Sequence, residues 1–374
     1  MKQPLQDILV VAIEQAVAAP ACTVRLADAG ARVIKVEPAN GESARHYDAA
    51  VAGTSAYFAW LNRGKESAVL DLKDPVDLAL AHRIVARADV FIQNLAPGAT
   101  RRLRLGAHEL CERHPRLIVV DIVGYGQDTP YRDMRAYDML VQAESGLCAV
   151  TGTPETPSKV GVSVADIATG MNAHAAILEA LIARERSGRG QAIEIAMFDG
   201  MADWMSVPLL HYEHTGRQTG RYGVSHASIY PYRRYVCRDG AIVIAIQNHG
   251  EWQRFCERVL LRPDLIADAR FVNNPARVAN RDALDREIDP IFSSLMLEEM
   301  IARLQAHQIA WGRVGSVADV AAHPALRSMT VSLPEGECFR LPRPAGRTDM
   351  QAGTIPKLGA HTDRIRAEFG LNNS

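Results

Sequence analysis

Five short runs of aliphatic and β-branched residues, ILVVAI (8–13), RVIKVE (32–37), SAVLDL (67–72), DVFIQN (89–94) and LIVVDIVG (117–124), recur through the first third of the chain. Their apolar character is nearly continuous rather than alternating, so both faces of each strand must be covered, as in a parallel sheet wrapped by helices. The stretches between them, such as CTVRLADAG (22–30) and PVDLALAHRIVARA (75–88), carry apolar residues at helical spacing and end near a Gly or a strand. This alternation predicts a doubly wound α/β domain. A long helical pattern from Ala165 stops at Gly188 and Gly190, and QAIEIAMFD (191–199) reads as a further buried strand.

With 374 residues, 48% of them hydrophobic, the chain exceeds the size at which a single core stops growing, so two lobes are expected. The predicted division is a large Rossmann-like domain over 1–210, a linker over 211–234, a smaller α+β domain over 235–310 and a return segment over 311–374 that completes the large domain. Within the smaller domain, YVCRDGAIVIAIQN (235–248) reads as a strand pair turned at Asp239-Gly240.

A formal charge of -1 gives no global attraction for nucleic acid or anionic lipid, so any anionic ligand must be met by local cations. The six cysteines lie far apart with no C-x-x-C pair, which argues against a disulfide framework and a zinc site and fits a reducing cytoplasm. The apolar run Ile8 to Ile13 is too short for a signal-peptide core or a membrane span, and a soluble protein is expected.

Nucleotide-loop, zinc-protease and serine-hydrolase motifs are absent, and the first strand is followed by the small-residue turn Gln15-Ala16-Val17-Ala18-Ala19-Pro20. Such a turn suits either a ligand close to the backbone or tight strand-to-helix packing. Asp166 stands directly before the long helical pattern in GVSVADIATGMNAH. It reads as a helix N-cap or as a functional carboxylate; the roles are compatible, because a helix N-terminus orients a carboxylate and favours its ionised form near neutral pH. Arg45, Arg63, Lys65, Lys73, Arg101, Arg102 and Arg135 follow strands or lie in the next loops, where they would meet phosphates or form solvated surface. Asp138 and Glu144, six apart, do not share a helix face and are not read as a pair.

In order along the chain, AAPACTVRLADAGARVIKVEP (18–38), WLNRGKESAVLDLKDP (60–75), ADVFIQNLAPGA (88–99), the GYG of 124–126, VADIATGMNAHAAILEAL (164–181), SGRGQAIEIAMFD (187–199) and PKLGAHTDRI (356–365) resemble the family III CoA-transferases. That group includes formyl-CoA transferase, carnitine CoA-transferase and the α-methylacyl-CoA racemases. The resemblance places Asp166 where the family keeps a nucleophilic aspartate that forms an aspartyl-CoA thioester. It also implies that Val17, Leu70, Lys73, Arg102 and Arg135 contact CoA, that Asn94 and Gly98 lie in an N-x-x-P-G turn near it, and that Tyr137 and Asp138 lie near the thioester. Coenzyme A is then a substrate, with no permanently bound cofactor and no metal. An interlocked homodimer is implied in the same way.

The residues also depart from the family's members. Racemases carry His where this chain has Tyr137, and a phenol is a poor proton-abstracting base at neutral pH. Val17 and the Gly223-Val224-Ser225-His226 stretch point away from formyl-CoA and oxalate. Between Tyr222 and Tyr235, His226, Tyr230 and Arg233 stand out as contacts for the second carboxylate of a small dicarboxylic acid. The expected reaction is CoA transfer between acids such as succinate, mesaconate, itaconate, citramalate or malate. The alternative is an acyl-CoA racemase or an intramolecular mesaconyl-CoA isomerase of the same superfamily.

Overall fold

A computed structural model describes residues 3–347 and 352–370. The chain divides into two compact units, one drawn from 1–148, 159–209 and 327–374 and the other from 149–158 and 210–326. The outermost residues of the predicted domain ranges, 1–2 and 371–374, lie outside the described residues.

The first unit is built on six strands, β1 (Leu9–Ile13), β2 (Arg32–Glu37), β3 (Lys65–Val69), β4 (Val90–Gln93), β5 (Ile118–Val123) and β6 (Ala192–Ala196). They form one parallel sheet in the order β3-β2-β1-β4-β5-β6. Successive residues of the central strands β1, β2, β4 and β5 enter different cores, which is why those runs are apolar throughout, whereas the edge strands β3 and β6 join an apolar core on one face only. The predicted buried strand 191–199 is corrected accordingly, since Ala192 and Glu194 are exposed at the sheet edge. Val10, Ala12, Ile92 and Val120 pack with Ala173, Ile177 and Leu181 on one face, whereas Val11, Ile34, Phe91 and Val119 pack with Leu80, Ile84 and Phe369 on the other. The order reverses between β1 and β4, and the crevice outside their carboxyl ends is where a doubly wound sheet binds ligands.

Helix α1 (Ala18–Asp28) follows β1 and crosses the long helix Val164–Ser187 at close range. Gly170 makes that crossing possible, since a Cβ there would lie 2.6 Å from the carbonyl oxygen of Ala18. The long helix ends at Gly188 in the left-handed conformation, φ 72°, as its sequence predicts. The predicted strand 191–199 is shorter than expected, because Met197 begins a helix running to Trp204.

The second unit holds an antiparallel sheet of β7 (Tyr232–Val236), β8 (Ala241–Ala245) and β9 (Ala310–Arg313). Its core gathers Tyr230, Tyr235, Trp252, Phe255, Phe271 and Phe292. Two predicted boundaries need correction. Residues 211–234 are not a free linker: a helix spans Ser206–Thr215, Tyr230 is buried in this core, and Gly223 N–H donates to Gly152 O at 2.7 Å. The segment 311–326 stays with the second unit, because Gly312 pairs with Val243, so the return to the first unit starts at Arg327.

The returning chain forms the hairpin β10 (Ser328–Ser332) and β11 (Cys338–Pro342), then the helix Thr362–Phe369. It docks along β3, where His361 Nδ1 accepts Ser67 N–H at 3.0 Å and Thr362 Oγ1 accepts Val69 N–H at 2.9 Å. Among the described residues no helix is long and apolar enough to cross a membrane.

Candidate active site

The turn after β1 lies at the switch point and is fixed from two sides. Asn94, at the end of β4, accepts Gln15 N–H through Oδ1 at 2.9 Å and donates to Gln15 O through Nδ2 at 2.9 Å. Its amide is thereby committed to holding the turn. Glu42 Oε2 accepts Ala16 N–H at 2.9 Å, and Val17 follows as the residue preceding α1. Val17 is buried with Ala21, Val24 and Leu61, and Ile167 of the long helix packs against this group. The start of α1 and the first turn of the long helix therefore share one apolar cluster.

Asp166 is in that first turn, but it is not the cap. The residue preceding the helix is Ser163, whose side chain makes no capping bond. The capping oxygen comes from Asp138, whose Oδ1 accepts Ala165 N–H at 2.9 Å and Asp166 N–H at 3.4 Å. Asp138 opens the helix Asp138–Glu144 and is held by Gln142 one turn later, Nε2 to Oδ2 at 2.8 Å. Gln142, fully buried, also accepts Val160 N–H at 2.8 Å. This chain of bonds fixes where the long helix begins and hence where Asp166 points.

The capping role thus falls to a carboxylate that sequence order separates from the helix. Gln142 was missed in the sequence, although its place four residues after Asp138 on a helix is the spacing of such a pair.

The Asp166 side chain has no hydrogen-bond or ion-pair partner among the described residues. Burial, and then the Asp138 carboxylate, push its carboxyl up from the ordinary 3.8 to about 7. The expectation that the helix end keeps it simply ionised is therefore corrected: around neutral pH protonated and ionised forms coexist. A partly desolvated carboxylate with no cation beside it is a stronger nucleophile than one in a salt bridge.

The basic residues sort into two groups. Arg45 pairs with Glu37 at 2.7 Å, Arg63 pairs with Asp28, and Lys65 pairs with Glu14 at 2.6 Å, so these three are part of the fold. Lys73, Arg101, Arg102 and Arg135 are exposed and have no carboxylate partner among the described residues. Leu70 is buried at the end of β3. Gly98 takes the left-handed conformation, φ 74°, with the Arg102 guanidinium 3.4 Å from where a Cβ would stand. A cavity of about 420 Å³ opens at the ends of β4 and β5, lined by Gln93, Pro97, Gly98, Arg101 and Asp121 among others. Tyr137 is exposed beside Asp138.

His226, Tyr230 and Arg233 lie in the second unit. Tyr230 donates its hydroxyl to Asp285, and Arg233 bonds Asp285 at 2.9 Å as well as Asp289, so both are engaged internally. His226 stacks on Tyr232 with ring centroids 5.3 Å apart. Its Nδ1 accepts Ser228 and Ile229 N–H at 3.0 Å each, which puts the ring proton on Nε2 and leaves that donor free.

Comparison with known proteins adds to this geometry. The family model described as CoA-transferase family III matches residues 5–362. The acetyl-CoA:oxalate CoA-transferase of Acetobacter aceti is 34% identical over 98% of this chain and 96% of its own. The succinyl-CoA:mesaconate CoA-transferase of Haloarcula hispanica is 32% identical over 98% of this chain and 95% of its own. A crystal structure of a CAIB/BAIF family protein from Brucella suis superposes with a TM-score of 0.82 at 34% identity, covering 99% of this chain and 100% of that one.

Proposed function

The chain belongs to CoA-transferase family III, and we propose that it moves CoA between small dicarboxylic acids through a thioester formed on Asp166. The observation that carries the reading is the desolvated Asp166 carboxyl, held beside Asp138 at a helix start and matched to no cation. Such an arrangement destabilises the fold, and perturbed carboxyls of this kind cluster at functional sites.

In the first step a carboxylate oxygen of Asp166 attacks the thioester carbonyl, the C–S bond breaks, and CoA leaves as thiolate. The thiolate attacks the aspartyl carbonyl of the resulting anhydride, releasing the donor acid and leaving aspartyl-CoA. The acceptor carboxylate then attacks that aspartyl carbonyl, and the thiolate leaves again. Finally the thiolate attacks the acceptor's carbonyl, which forms the new acyl-CoA and restores the Asp166 carboxylate. One thioester is consumed and one is formed, so the thioester energy is conserved and no ATP is needed.

Lys73, Arg102 and Arg135, three of the exposed cations that have no carboxylate partner among the described residues, are assigned to the phosphates of CoA. Val17, Leu70, Gly98 and Tyr137 are assigned to its apolar and pantetheine parts, with Asn94 and Asp138 shaping the site from behind. Recognition of the acid's second carboxylate is assigned to the segment 222–235, where His226 Nε2 is a donor without a partner among the described residues. The mesaconate transferase at 32% identity supports a small dicarboxylate; the oxalate transferase at 34% identity supports the same class and, against the expectation drawn from Val17 and 223–226, keeps oxalate among the acids to be tried. A cytoplasmic homodimer completes the reading. The homodimer is supported by the exposed Val207, Leu209, Leu210 and Tyr212 on the helix Ser206–Thr215, an apolar surface of the sort that marks association.

The test is to incubate the protein with succinyl-CoA and hydroxylamine, digest it and sequence the labelled peptide. A hydroxamate on Asp166 is expected. Loss of transfer with retained CoA binding in Asp166→Ala is expected as well, and retained turnover in that variant would refute covalent catalysis there. Mass spectrometry of CoA esters with an acid panel identifies the acceptor and separates transfer from racemisation or isomerisation.

A further inference from the structure

The β1–α1 turn is tied to a buried ionic cluster that the transfer chemistry leaves unused. Glu14, Lys35 and Lys65 have fully buried side chains: Lys65 Nζ donates to Glu14 Oε1 at 2.6 Å, and Lys35 Nζ stands 3.3 Å from the same oxygen. Thr23 donates its hydroxyl to Glu14 Oε2 at 2.6 Å. Lys35 Nζ also lies 3.3 Å from Glu42 Oε1. The other oxygen of Glu42 leaves the cluster and accepts Ala16 N–H at 2.9 Å and Ala44 N–H at 3.0 Å.

Ala16 has φ 59°, in the left-handed region that costs a residue with a Cβ about 1–2 kcal/mol. A conformation of that kind persists where surrounding groups over-determine it, and here the surrounding groups are Glu42 on Ala16 and Asn94 on Gln15. The next residue, Val17, is buried against Ile167, the neighbour of Asp166. Glu42 therefore sits one hydrogen bond from a strained turn whose far side is packed on the nucleophile's helix.

We propose that Glu42 is a positioning residue for the transfer reaction: braced by Lys35, it holds Ala16 in its left-handed turn and so fixes the wall that Val17 presents beside Asp166. The proposal rests on the assignment of Asp166 as nucleophile. Glu42 touches no substrate in this role. Its carboxylate acts through the backbone of the turn.

Two substitutions separate positioning from stability. Glu42→Asp keeps the charge facing Lys35 but withdraws the carboxylate by about 1.5 Å, one C–C bond, from Ala16. Glu42→Gln keeps an oxygen for Ala16 and Ala44 but removes the charge that Lys35 faces. Steady-state kinetics with succinyl-CoA and melting temperature are measured for both.

For Glu42→Asp, kcat is expected to fall about 10- to 100-fold with KM for succinyl-CoA changed by less than about threefold, while the melting temperature falls no further than in Glu42→Gln. For Glu42→Gln the melting temperature falls while kcat stays within about threefold of the parent. Values of kcat that follow melting temperature across the pair would overturn the proposal, as would unchanged kcat in both. Hydroxylamine trapping distinguishes the levels. No adduct on Asp166 in the parent protein removes the nucleophile assignment itself, whereas an adduct forming at the parent rate in Glu42→Asp overturns only the positioning role.

Discussion

Replacing Asp166 by Asn should stabilise the protein, and by an amount that depends on pH. The folded chain holds the Asp166 proton more tightly than an unfolded one, with the carboxyl at about 7 instead of 3.8. Between those values the unfolded chain is ionised and the folded one is not, so stability falls as pH rises through the window and levels off above about 7. At about 1.4 kcal/mol per unit, the full difference between about 7 and 3.8 corresponds to about 4 kcal/mol. From pH 5 to pH 8 the share is about 3 kcal/mol, and water at the partly open site reduces it to about 1–3 kcal/mol. Asn has nearly the same shape and no proton to lose, so it should escape this term. Urea unfolding of both proteins at pH 5 and pH 8 measures it. The advantage of Asp166→Asn should grow by that amount between the two pH values. An advantage that is the same at both, or larger at pH 5, would refute the reading of Asp166 as a desolvated, uncompensated carboxyl.

Three further outcomes are expected. Gly170→Val places a branched side chain where even a Cβ would lie 2.6 Å from Ala18 O, so denaturant midpoints should show a loss of about 1–3 kcal/mol, with transfer activity lowered as the long helix shifts. Gln142→Leu leaves Val160 N–H and Asp138 Oδ2 without partners, costing about 1–3 kcal/mol by the same assay, and lowers kcat more than it raises KM because the start of the Asp166 helix loosens. The assignment of Arg102 and Arg135 to the CoA phosphates predicts that Arg102→Ala and Arg135→Ala each raise KM for succinyl-CoA about tenfold with kcat retained, an effect that should shrink at high salt.

The four central strands of the sheet were legible because burial on both faces leaves continuous apolar runs that a one-sided sheet does not produce, while the edge strand Ala192–Ala196 alternates and only its Ile pair suggests burial. Asp166 was legible for a similar reason, since the onset of a 24-residue helix is visible in the pattern after it. What supports Asp166 was hidden. The cap comes from Asp138, 28 residues upstream, and nothing local ties the two. Likewise Asn94 looked like a ligand contact, but both ends of its amide are spent on Gln15 across 79 residues. Arg45, Arg63 and Lys65 looked like surface cations until their carboxylates arrived from other elements. The 311–326 boundary failed because the short strand Ala310–Arg313 has no period of its own and is defined only by pairing with Ala241–Ala245. Order along the chain thus reveals elements, and three-dimensional pairing reveals which polar groups remain available.

The docking of the last segment along β3 carries a consequence for biogenesis. An outermost strand with open amides is a template for unwanted pairing with other chains. Here the Ser67 and Val69 amides are sealed by His361 and Thr362, nearly 300 positions later in synthesis. A nascent or prematurely terminated polypeptide therefore exposes a sticky margin until the segment around His361 has been made. Truncations before His361 should aggregate through that margin even though they retain Asp166 and Asp138.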